Sequence, residues 1–282
     1  MNDLVNKADA EDNLSRFREI ISDPLNLLID RVEDAGVVKD GLVTLHNGVR
    51  VPADGDAAYY SDFSAILQIN RGVHEPLEEF VFQEVLRSLP EQPRMIELGA
   101  YWAHYSMWLQ QKRPQAHNIM VEFHPPFVEV GKRNFALNGF DGEFINQAVA
   151  PDGWLVDPFM KERGYDRIDL LHADIQGAEV RMLASGIQSI EAKKIDRFMI
   201  ATHSANLHMF VAGALAKEGY RVEVDCHPDT GSYASDGFVY ATAPHVEPIF
   251  DGLELMDRQS LLTSGPRDVM ASLNTALHYY QG

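Results

Sequence analysis

The chain has 282 residues, of which 45% are hydrophobic and 23% charged, a composition that excludes a largely disordered protein. Its formal net charge of −18 excludes a protein that coats nucleic acid, because phosphate binding needs clustered lysine and arginine. The single cysteine, Cys226, cannot form an internal disulfide. The start of the chain is polar and acid-rich, and no run is apolar enough to span a bilayer. We therefore expect a cytoplasmic protein with no targeting peptide.

Residues 1–74 are predicted to form an extension of helices and a hairpin. Apolar side chains between Leu14 and Ile29 recur with the helical period, which predicts helical structure over the first 40 residues with a break at Pro24. Two short alternating runs on either side of Asn47-Gly48 predict a β-hairpin. The segment 57–72 is predicted to be a loop. We expect this extension to act as a lid or to select the substrate.

Residues 75–245 are predicted to form an α/β domain. A helix that begins near Pro76 is followed by five apolar strands that alternate with amphipathic helices, a pattern typical of a parallel sheet covered on both faces. The last two strands, YRVEVDCH and DGFVYATA, are joined by a loop too short for a helix, so they must be antiparallel. Five parallel strands closed by a C-terminal antiparallel hairpin predict a Rossmann-like class I methyltransferase sheet. Residues 246–282 are predicted to form a tail with one helix, which could contribute to a homodimer.

Two acidic residues and one glycine suggest a nucleoside cofactor site. Glu97 and Gly99 end the first strand of the domain, where a turn lets the backbone approach a ligand. Glu122 ends the second strand, a position suited to accepting hydrogen bonds from ribose hydroxyls. The turn contains one glycine, whereas the dinucleotide fingerprint has three, so a cofactor without a pyrophosphate fits better.

Candidate catalytic residues follow the fourth and fifth strands. Asp174 ends the fourth strand and could bind the amino group of a cofactor, bind a cation or act as a base; it could also simply cap the following helix. His203 ends the fifth strand, and an imidazole there is suited to removing a hydroxyl proton near neutral pH. Together with Glu179, these two residues are also a candidate site for Mg²⁺.

Several segments of the domain resemble the FkbM-type family of S-adenosylmethionine (SAM) dependent methyltransferases. They are MIELGAYWAHYSMWL, VEFHPPFVEVGKRNFALNG, IDLLHADIQGAEVRML, ATHS and DGFVYATAP, which together span roughly residues 75–244. The resemblance implies SAM as cofactor and methyl transfer to oxygen. It also implies an acceptor that is a sugar, a glycan or a glycosylated small molecule. The first segment departs from the commoner glycine-rich motif, because it reads ELGAYWA.

The resemblance also implies roles for individual residues. Glu122 would bind the ribose of SAM, and Asp174 would lie near its sulfonium. The other residues implied in cofactor binding are Glu97, Gly99 and Tyr101 along the methionine part, Gln147 and Ala148 beside the adenine, and His74 and Glu75 over the carboxylate end. His203 is the leading candidate for the catalytic base and Asp174 the second.

Two other functions remain open from the sequence. One is a nicotinamide-dependent oxidoreductase on a related sheet, which the single glycine after the first strand and the antiparallel hairpin disfavour. The other is a non-catalytic protein that binds SAM or a nucleoside, because Glu97 and Glu122 would bind cofactor whether or not His203 is catalytic.

Overall fold

The computed structural model describes residues 7–60, 63–229, 236–250, 256, 260 and 263–280. These residues form a three-stranded sheet near the N-terminus and a seven-stranded sheet. The strands are β1 Val38–Lys39, β2 Leu42–Thr44, β3 Arg50–Pro52, β4 Arg94–Leu98, β5 His117–Glu122, β6 Glu143–Asn146, β7 Leu170–Ala173, β8 Arg197–Thr202, β9 Arg221–Cys226 and β10 Gly237–Thr242. The α-helices are α1 Lys7–Ser22, α2 Ala65–Ile69, α3 Pro76–Ser88, α4 His104–Lys112, α5 Pro125–Leu137, α6 Val156–Arg163, α7 Glu179–Ser185, α8 Ile187–Glu191, α9 Ala205–Lys217 and α10 Pro266–Tyr280.

The seven-stranded sheet has the order β6-β5-β4-β7-β8-β10-β9. Strands β4 to β8 run parallel to one another, and β10 is antiparallel to both β8 and β9. This confirms the predicted fold class, a Rossmann-like class I methyltransferase sheet with a C-terminal antiparallel hairpin. The connection between β9 and β10 lies partly outside the described residues.

Helices cover both faces of this sheet, which explains why its central strands are apolar almost throughout. Every residue of β7, β8 and β10 is buried. One face packs against α6, α7, α8 and α9 around side chains such as Ile96 and Ile200. The opposite face packs against α3 and α4 around side chains such as Phe80 and Met199. Within the described part of the chain, no helix combines the length and the apolar character needed to cross a membrane.

The N-terminal extension packs on the second face of the sheet. The hairpin predicted at Asn47-Gly48 is present as β2 and β3, and β1 adds a third antiparallel strand to it. Val43 and Val51 of this small sheet share a core with Trp102 and Met120 of the larger domain. The extension therefore has no separate core, since its apolar side chains are buried against the α/β domain.

Two predictions for the extension were wrong in detail. Helical structure does not continue to residue 40, because α1 ends at Ser22 and only a short 3-10 helix, Pro24–Leu27, follows it. Leu28 and Ile29 are buried as their spacing indicated, but they lie in a loop held by tertiary packing. The segment 57–72 contains the helix α2, whose Ile66 and Leu67 fill the core between the small sheet and α4.

Candidate functional site

The turn after β4 is shaped by close contact with the backbone after β7. These two strands are neighbours at the point where the strand order reverses, which is where ligands bind in open α/β sheets. Gly99 has φ +74°, and a Cβ atom there would lie 1.8 Å from the carbonyl oxygen of Asp174. Only glycine fits this position, so Gly99 allows the turn after β4 to lie against the backbone of Asp174 after β7.

Left-handed backbone continues through the rest of the turn. Tyr101 has φ +42° and Ala103 has φ +62°, a region that side chains other than glycine rarely adopt. These are the second and fourth residues after Gly99. In ELGAYWA two residues other than glycine therefore adopt the left-handed backbone that glycine usually provides. The Tyr101 hydroxyl holds the turn in place, because the Tyr60 backbone N–H donates to it over 2.8 Å.

The two acidic residues predicted to bind cofactor are buried, and their carboxylates accept hydrogen bonds from backbone N–H groups. Glu97 is 3% exposed, and its Oε2 accepts a hydrogen bond from the Ser106 backbone N–H in α4. Glu122 is 5% exposed and accepts from the backbone N–H groups of Tyr101 and His124, one on each carboxylate oxygen. Each carboxylate oxygen has a second lone pair, so Glu122 can still accept from ligand hydroxyls.

A cavity of about 300 Å³ lies above the carboxyl ends of β4, β5 and β7. Every residue that the sequence assigned to cofactor binding lines this cavity: His74, Glu75, Glu97, Gly99, Tyr101, Glu122, Gln147, Ala148 and Asp174. The structure thus brings together residues that are spread over a hundred positions of the chain. Their roles toward a cofactor remain predictions.

The cavity wall includes residues that sequence reasoning missed. Phe123 directly follows Glu122 and is 67% exposed, although it is a large apolar side chain. Its position one residue after the acidic end of β5 was a usable signal, because an exposed ring there can stack on a base. Arg16 of α1 and Tyr60 of the extension also line the cavity. They could be found only from the tertiary structure, since nothing in the local sequence relates them to the sheet.

His203 lies among three carboxylates beside the cavity, and it contacts Asp174 and Asp236 of the cavity wall without being part of that wall. Its Nε2 is 3.1 Å from Asp174 Oδ1 and 3.9 Å from Asp236 Oδ1, and its Nδ1 is 3.3 Å from Glu179 Oε1. Burial lowers the pKa of His203, but Asp174 and Glu179 outweigh that effect and raise it to about 10. In turn His203 holds the pKa of Asp174 below its ordinary value, in spite of burial. His203 is therefore a charged imidazolium near neutral pH.

This charge state bears on the roles predicted for His203. A group that keeps its proton up to a pKa of about 10 is poorly suited to accept another at neutral pH. The predicted Mg²⁺ site at Asp174, Glu179 and His203 gains no support either. The imidazolium already offsets part of the negative charge of Asp174 and Glu179, and His203 offers a nitrogen where Mg²⁺ prefers oxygen ligands.

Two further carboxyl groups have raised pKa values: Glu75 in the wall of the cavity and Glu78 in a smaller pocket that adjoins it. Burial, followed by repulsion from neighbouring carboxylates that include Asp174, raises the pKa of Glu75 to about 7 and that of Glu78 to about 8. The Tyr105 hydroxyl donates to Glu75 Oε2 over 3.0 Å. Both groups lose their protons near or just above neutral pH, so this region becomes more negatively charged there. Such a charge favours a cationic ligand.

Comparison with known proteins gives no family assignment. No model of a protein family matches the chain, and no curated protein matches it. Solved structures with a similar fold include the precorrin-6Y C5,15-methyltransferase of Geobacter metallireducens GS-15, at 19% identity, with 59% of this chain and 87% of that one covered and a TM-score of 0.43. TrmK of M. capricolum, solved with S-adenosylhomocysteine, has 13% identity over 72% of this chain and 97% of its own, with a TM-score of 0.43.

A third structure, a ribosomal protein L11 methylase from Lactobacillus delbrueckii subsp. bulgaricus, has 12% identity over 59% of this chain and 78% of that one, with a TM-score of 0.43. Similarity at this level carries no argument about activity. The resemblance to the FkbM-type family therefore stays a prediction, and the fold assignment rests on the strand order itself.

Proposed function

We propose that the protein is a SAM-dependent methyltransferase that transfers a methyl group to a hydroxyl oxygen. The observation that carries this proposal is the pairing of Glu97 and Glu122, at the ends of adjacent strands β4 and β5, in one cavity at the switch point of the sheet. An acid at the end of β5 suits ribose hydroxyls, and the crowded turn after β4 leaves no three-glycine cradle for a pyrophosphate. This combination favours SAM over a nicotinamide dinucleotide.

The residues of the cavity fit the chemical groups of SAM. Glu122 would accept hydrogen bonds from the ribose hydroxyls, and Phe123 would stack on the adenine beside Gln147 and Ala148. Glu75 would face the methionine end, where the ammonium and sulfonium groups are cationic. The guanidinium of Arg16, 3.9 Å from Glu75, would pair with the methionine carboxylate.

The catalytic task of the protein is then alignment of the acceptor and removal of one proton. When bound, SAM supplies a methyl group that its sulfonium already activates. The acceptor oxygen becomes strongly acidic as it is methylated, so a carboxylate suffices to take its proton. We assign that role to Asp174, whose side chain is 36% exposed at the cavity, with His203 holding it in place. This reverses the order expected from the sequence, in which His203 was the leading candidate for the base, and His203 becomes the second assignment.

The acceptor we propose is a neutral polyol, such as a sugar, a glycan or a glycosylated small molecule. The mouth of the cavity contains Asp174 and Asp236 together with the amide of Gln176, groups that can bind hydroxyls. Their negative charge disfavours a phosphate-rich acceptor. A homodimer and a cytoplasmic location remain predictions that go with this proposal.

Calorimetric titration of the purified protein with SAM, S-adenosylhomocysteine and NAD tests the proposal directly. We expect the first two to bind at micromolar concentration and NAD to give no heat, with or without Mg²⁺. Binding of NAD alone would instead support the oxidoreductase alternative, and binding of none of the three would contradict the cofactor assignment.

A second experiment separates an enzyme from a protein that only binds SAM. Using radiolabelled methyl groups, SAM at saturating concentration and a panel of glycosides, we expect transfer by the wild-type protein and loss of transfer by Asp174→Asn. If no acceptor is methylated by a protein that binds SAM, the non-catalytic alternative becomes the better explanation.

A further inference from the structure

A cluster of three histidines surrounds one glutamate beneath the cofactor cavity. Glu79 lies on α3, His104 begins α4, His46 follows strand β2 and His74 precedes α3. All four side chains are at most 1% exposed. His46 Nε2 lies 3.7 Å from Glu79 Oε2, while His104 Nε2 and His74 Nδ1 lie 3.4 Å and 2.5 Å from Glu79 Oε1.

Hydrogen bonding does not satisfy this cluster. His46 Nε2, both ring nitrogens of His104 and Glu79 Oε2 are buried and have no hydrogen-bond partner among the described residues. Buried polar atoms without partners are rare in folded proteins and point to a missing ion or water. Here three residues contribute such atoms, and one ligand atom from each lies within 4.8 Å of the others, which is more than ordinary packing explains.

The tautomer of His46 strengthens this argument. Its Nδ1 lies 3.3 Å from the carbonyl oxygen of Asp30, which can only accept, so Nδ1 carries a proton. In the neutral ring, Nε2 therefore directs a lone pair at the carboxylate of Glu79. His74 Nδ1, at 2.5 Å, already donates to this carboxylate, so the neutral ring of His46 faces Glu79 lone pair to lone pair. A cation between them turns this repulsion into coordination.

We infer that His46, Glu79 and His104 bind a divalent transition metal ion, with a water molecule in the fourth position, and that the ion is Zn²⁺. The ligand atoms of the first three residues lie within 4.8 Å of one another. Tetrahedral zinc with bonds of about 2.0–2.2 Å separates its ligand atoms by about 3.4 Å, close to the distances from Glu79 to His46 and His104. Imidazole and carboxylate ligands suit Zn²⁺, whereas Mg²⁺ and Ca²⁺ prefer oxygen ligands and retain water.

The surroundings of the cluster provide the supporting contacts that metal ligands require. The N–H at Nδ1 of His46 donates to the Asp30 carbonyl, and Nδ1 of His74 lies 2.5 Å from Glu79 Oε1. Such contacts orient the histidine and carboxylate ligands of a metal. The ring of Trp102 stacks on His104, with centroids 5.1 Å apart and planes inclined by 16°.

The consequence is a metal ion that joins the N-terminal extension to the α/β domain. His46 belongs to the extension, whereas Glu79 and His104 lie on helices that pack on the large sheet. Because the unfolded chain lacks a preformed site, metal binding stabilises the folded state. The ion would also fix the part of the cavity wall that contains His74 and His104.

Elemental analysis of the full-length protein, purified without a metal-affinity tag, tests this inference. We expect one zinc per chain, and a higher midpoint of thermal unfolding when Zn²⁺ is returned to chelator-treated protein. We also expect Co²⁺ to give the strong visible absorption of a tetrahedral site. None of these readouts depends on methyltransferase activity or SAM binding, so the two proposals can fail separately.

The variants Glu79→Gln and His104→Gln are expected to lose the zinc and the Co²⁺ absorption. The matched control is His208→Gln, since His208 is also buried but bonds to Thr202 and Asp225, away from the cluster, and we expect it to keep one zinc. If the ligand variants fail to fold, the Co²⁺ spectrum of the wild-type protein still shows whether a tetrahedral metal site is present. Wild-type protein that contains no stoichiometric metal and gives neither a zinc-dependent stabilisation nor a tetrahedral Co²⁺ spectrum would overturn the inference.

Discussion

The carboxylate of Glu122 lies at the end of β5, where it can contact the turn after β4 and the cavity at the same time. It fixes the turn after β4 by accepting the backbone N–H of Tyr101, and it presents its remaining lone pairs to the cavity. The turn and the ligand site are thus organised by the same side chain.

Replacing Glu122 by glutamine is therefore expected to weaken SAM binding. A lost hydrogen bond to a charged group costs roughly 1.5–3 kcal/mol, which corresponds to about a tenfold to a hundredfold loss of affinity. Glu129→Gln is the matched control, because Glu129 lies on α5 with its side chain 58% exposed. Calorimetry measures both variants, and an unchanged affinity for Glu122→Gln would remove the proposed ribose contact.

Gly99 provides a second prediction at this scale. Gly99→Ala adds the strain of a left-handed alanine, about 1–2 kcal/mol, and drives a Cβ atom into the Asp174 carbonyl. We expect a large loss of both unfolding free energy and SAM affinity. Gly164→Ala has similar strain at φ +62° but open space around the new Cβ, so it should lose stability alone. Equal effects of the two variants on SAM affinity would contradict the close-contact explanation.

The raised pKa values of Glu75 and Glu78 predict a pH dependence of binding. Both groups become charged as the pH rises through about 7 and about 8, so the attraction for cationic SAM increases over that range. S-adenosylhomocysteine lacks the positive sulfonium and should show a weaker trend. The stability of the protein without ligand depends on pH in the opposite direction. Glu75 and Glu78 hold their protons more tightly in the folded state, so the free energy of unfolding falls as the pH rises above their ordinary pKa of 4.5.

Titrations at a series of pH values measure this effect, with Glu78→Gln as the test variant and Glu129→Gln as the control. We expect the variant to flatten the dependence of SAM affinity on pH, while the control keeps it. An affinity ratio of SAM to S-adenosylhomocysteine that does not change with pH would argue against a negatively charged site at the methionine end.

Helix α3 connects the cavity, the histidine cluster and the core. Its side chains on one face, such as Phe80, pack against the large sheet, while Glu78 lines the smaller pocket beside the cavity and Glu79 contacts the histidine cluster. An acidic first turn suits the N-terminal end of a helix, and Pro76 suits its first position. The burial of Glu78 and Glu79, with half-buried Glu75 beside them, nevertheless requires the counter-charges supplied by other elements.

Truncation of Phe80 tests how strongly α3 is held. The side chain is fully buried and its ring lies 6.0 Å from that of Phe250, so Phe80→Ala should lower the free energy of unfolding by about 3–5 kcal/mol. Val180→Ala is the control, since Val180 is 39% exposed and should change the free energy little. Chemical denaturation measures both, and a small effect at Phe80 would show that α3 packs loosely.

At the scale of the whole molecule, the net charge of −18 affects the choice of partner. An acidic surface repels polyanions, because nucleic acid affinity comes largely from neutralised phosphates. We therefore expect no binding of RNA or DNA even at low ionic strength, measured by fluorescence anisotropy with labelled oligonucleotides. Salt-dependent binding in the micromolar range would show a local basic site and would reopen the question of the acceptor.

The sequence by itself determined the order of strands and helices in the α/β domain and the antiparallel hairpin. Hydrophobic period and loop length are local properties, and a short loop forbids a parallel crossover. It also predicted that Glu97, Gly99 and Glu122 lie close together, because residues at the carboxyl ends of parallel strands meet at one edge. Helix α2 and the loop at Leu28 and Ile29 were predicted wrongly, since tertiary packing decided their conformation.

Only the tertiary structure decided the electrostatics of the site. Whether His203 is a base or an imidazolium depends on Asp174, Glu179 and Asp236, which no local pattern relates to it. In the same way, His46 and His104 are 58 positions apart and meet only because the N-terminal sheet packs on α3 and α4. The energy of a charge depends on the charges and solvent around it in three dimensions, and this arrangement exists only once the chain has folded.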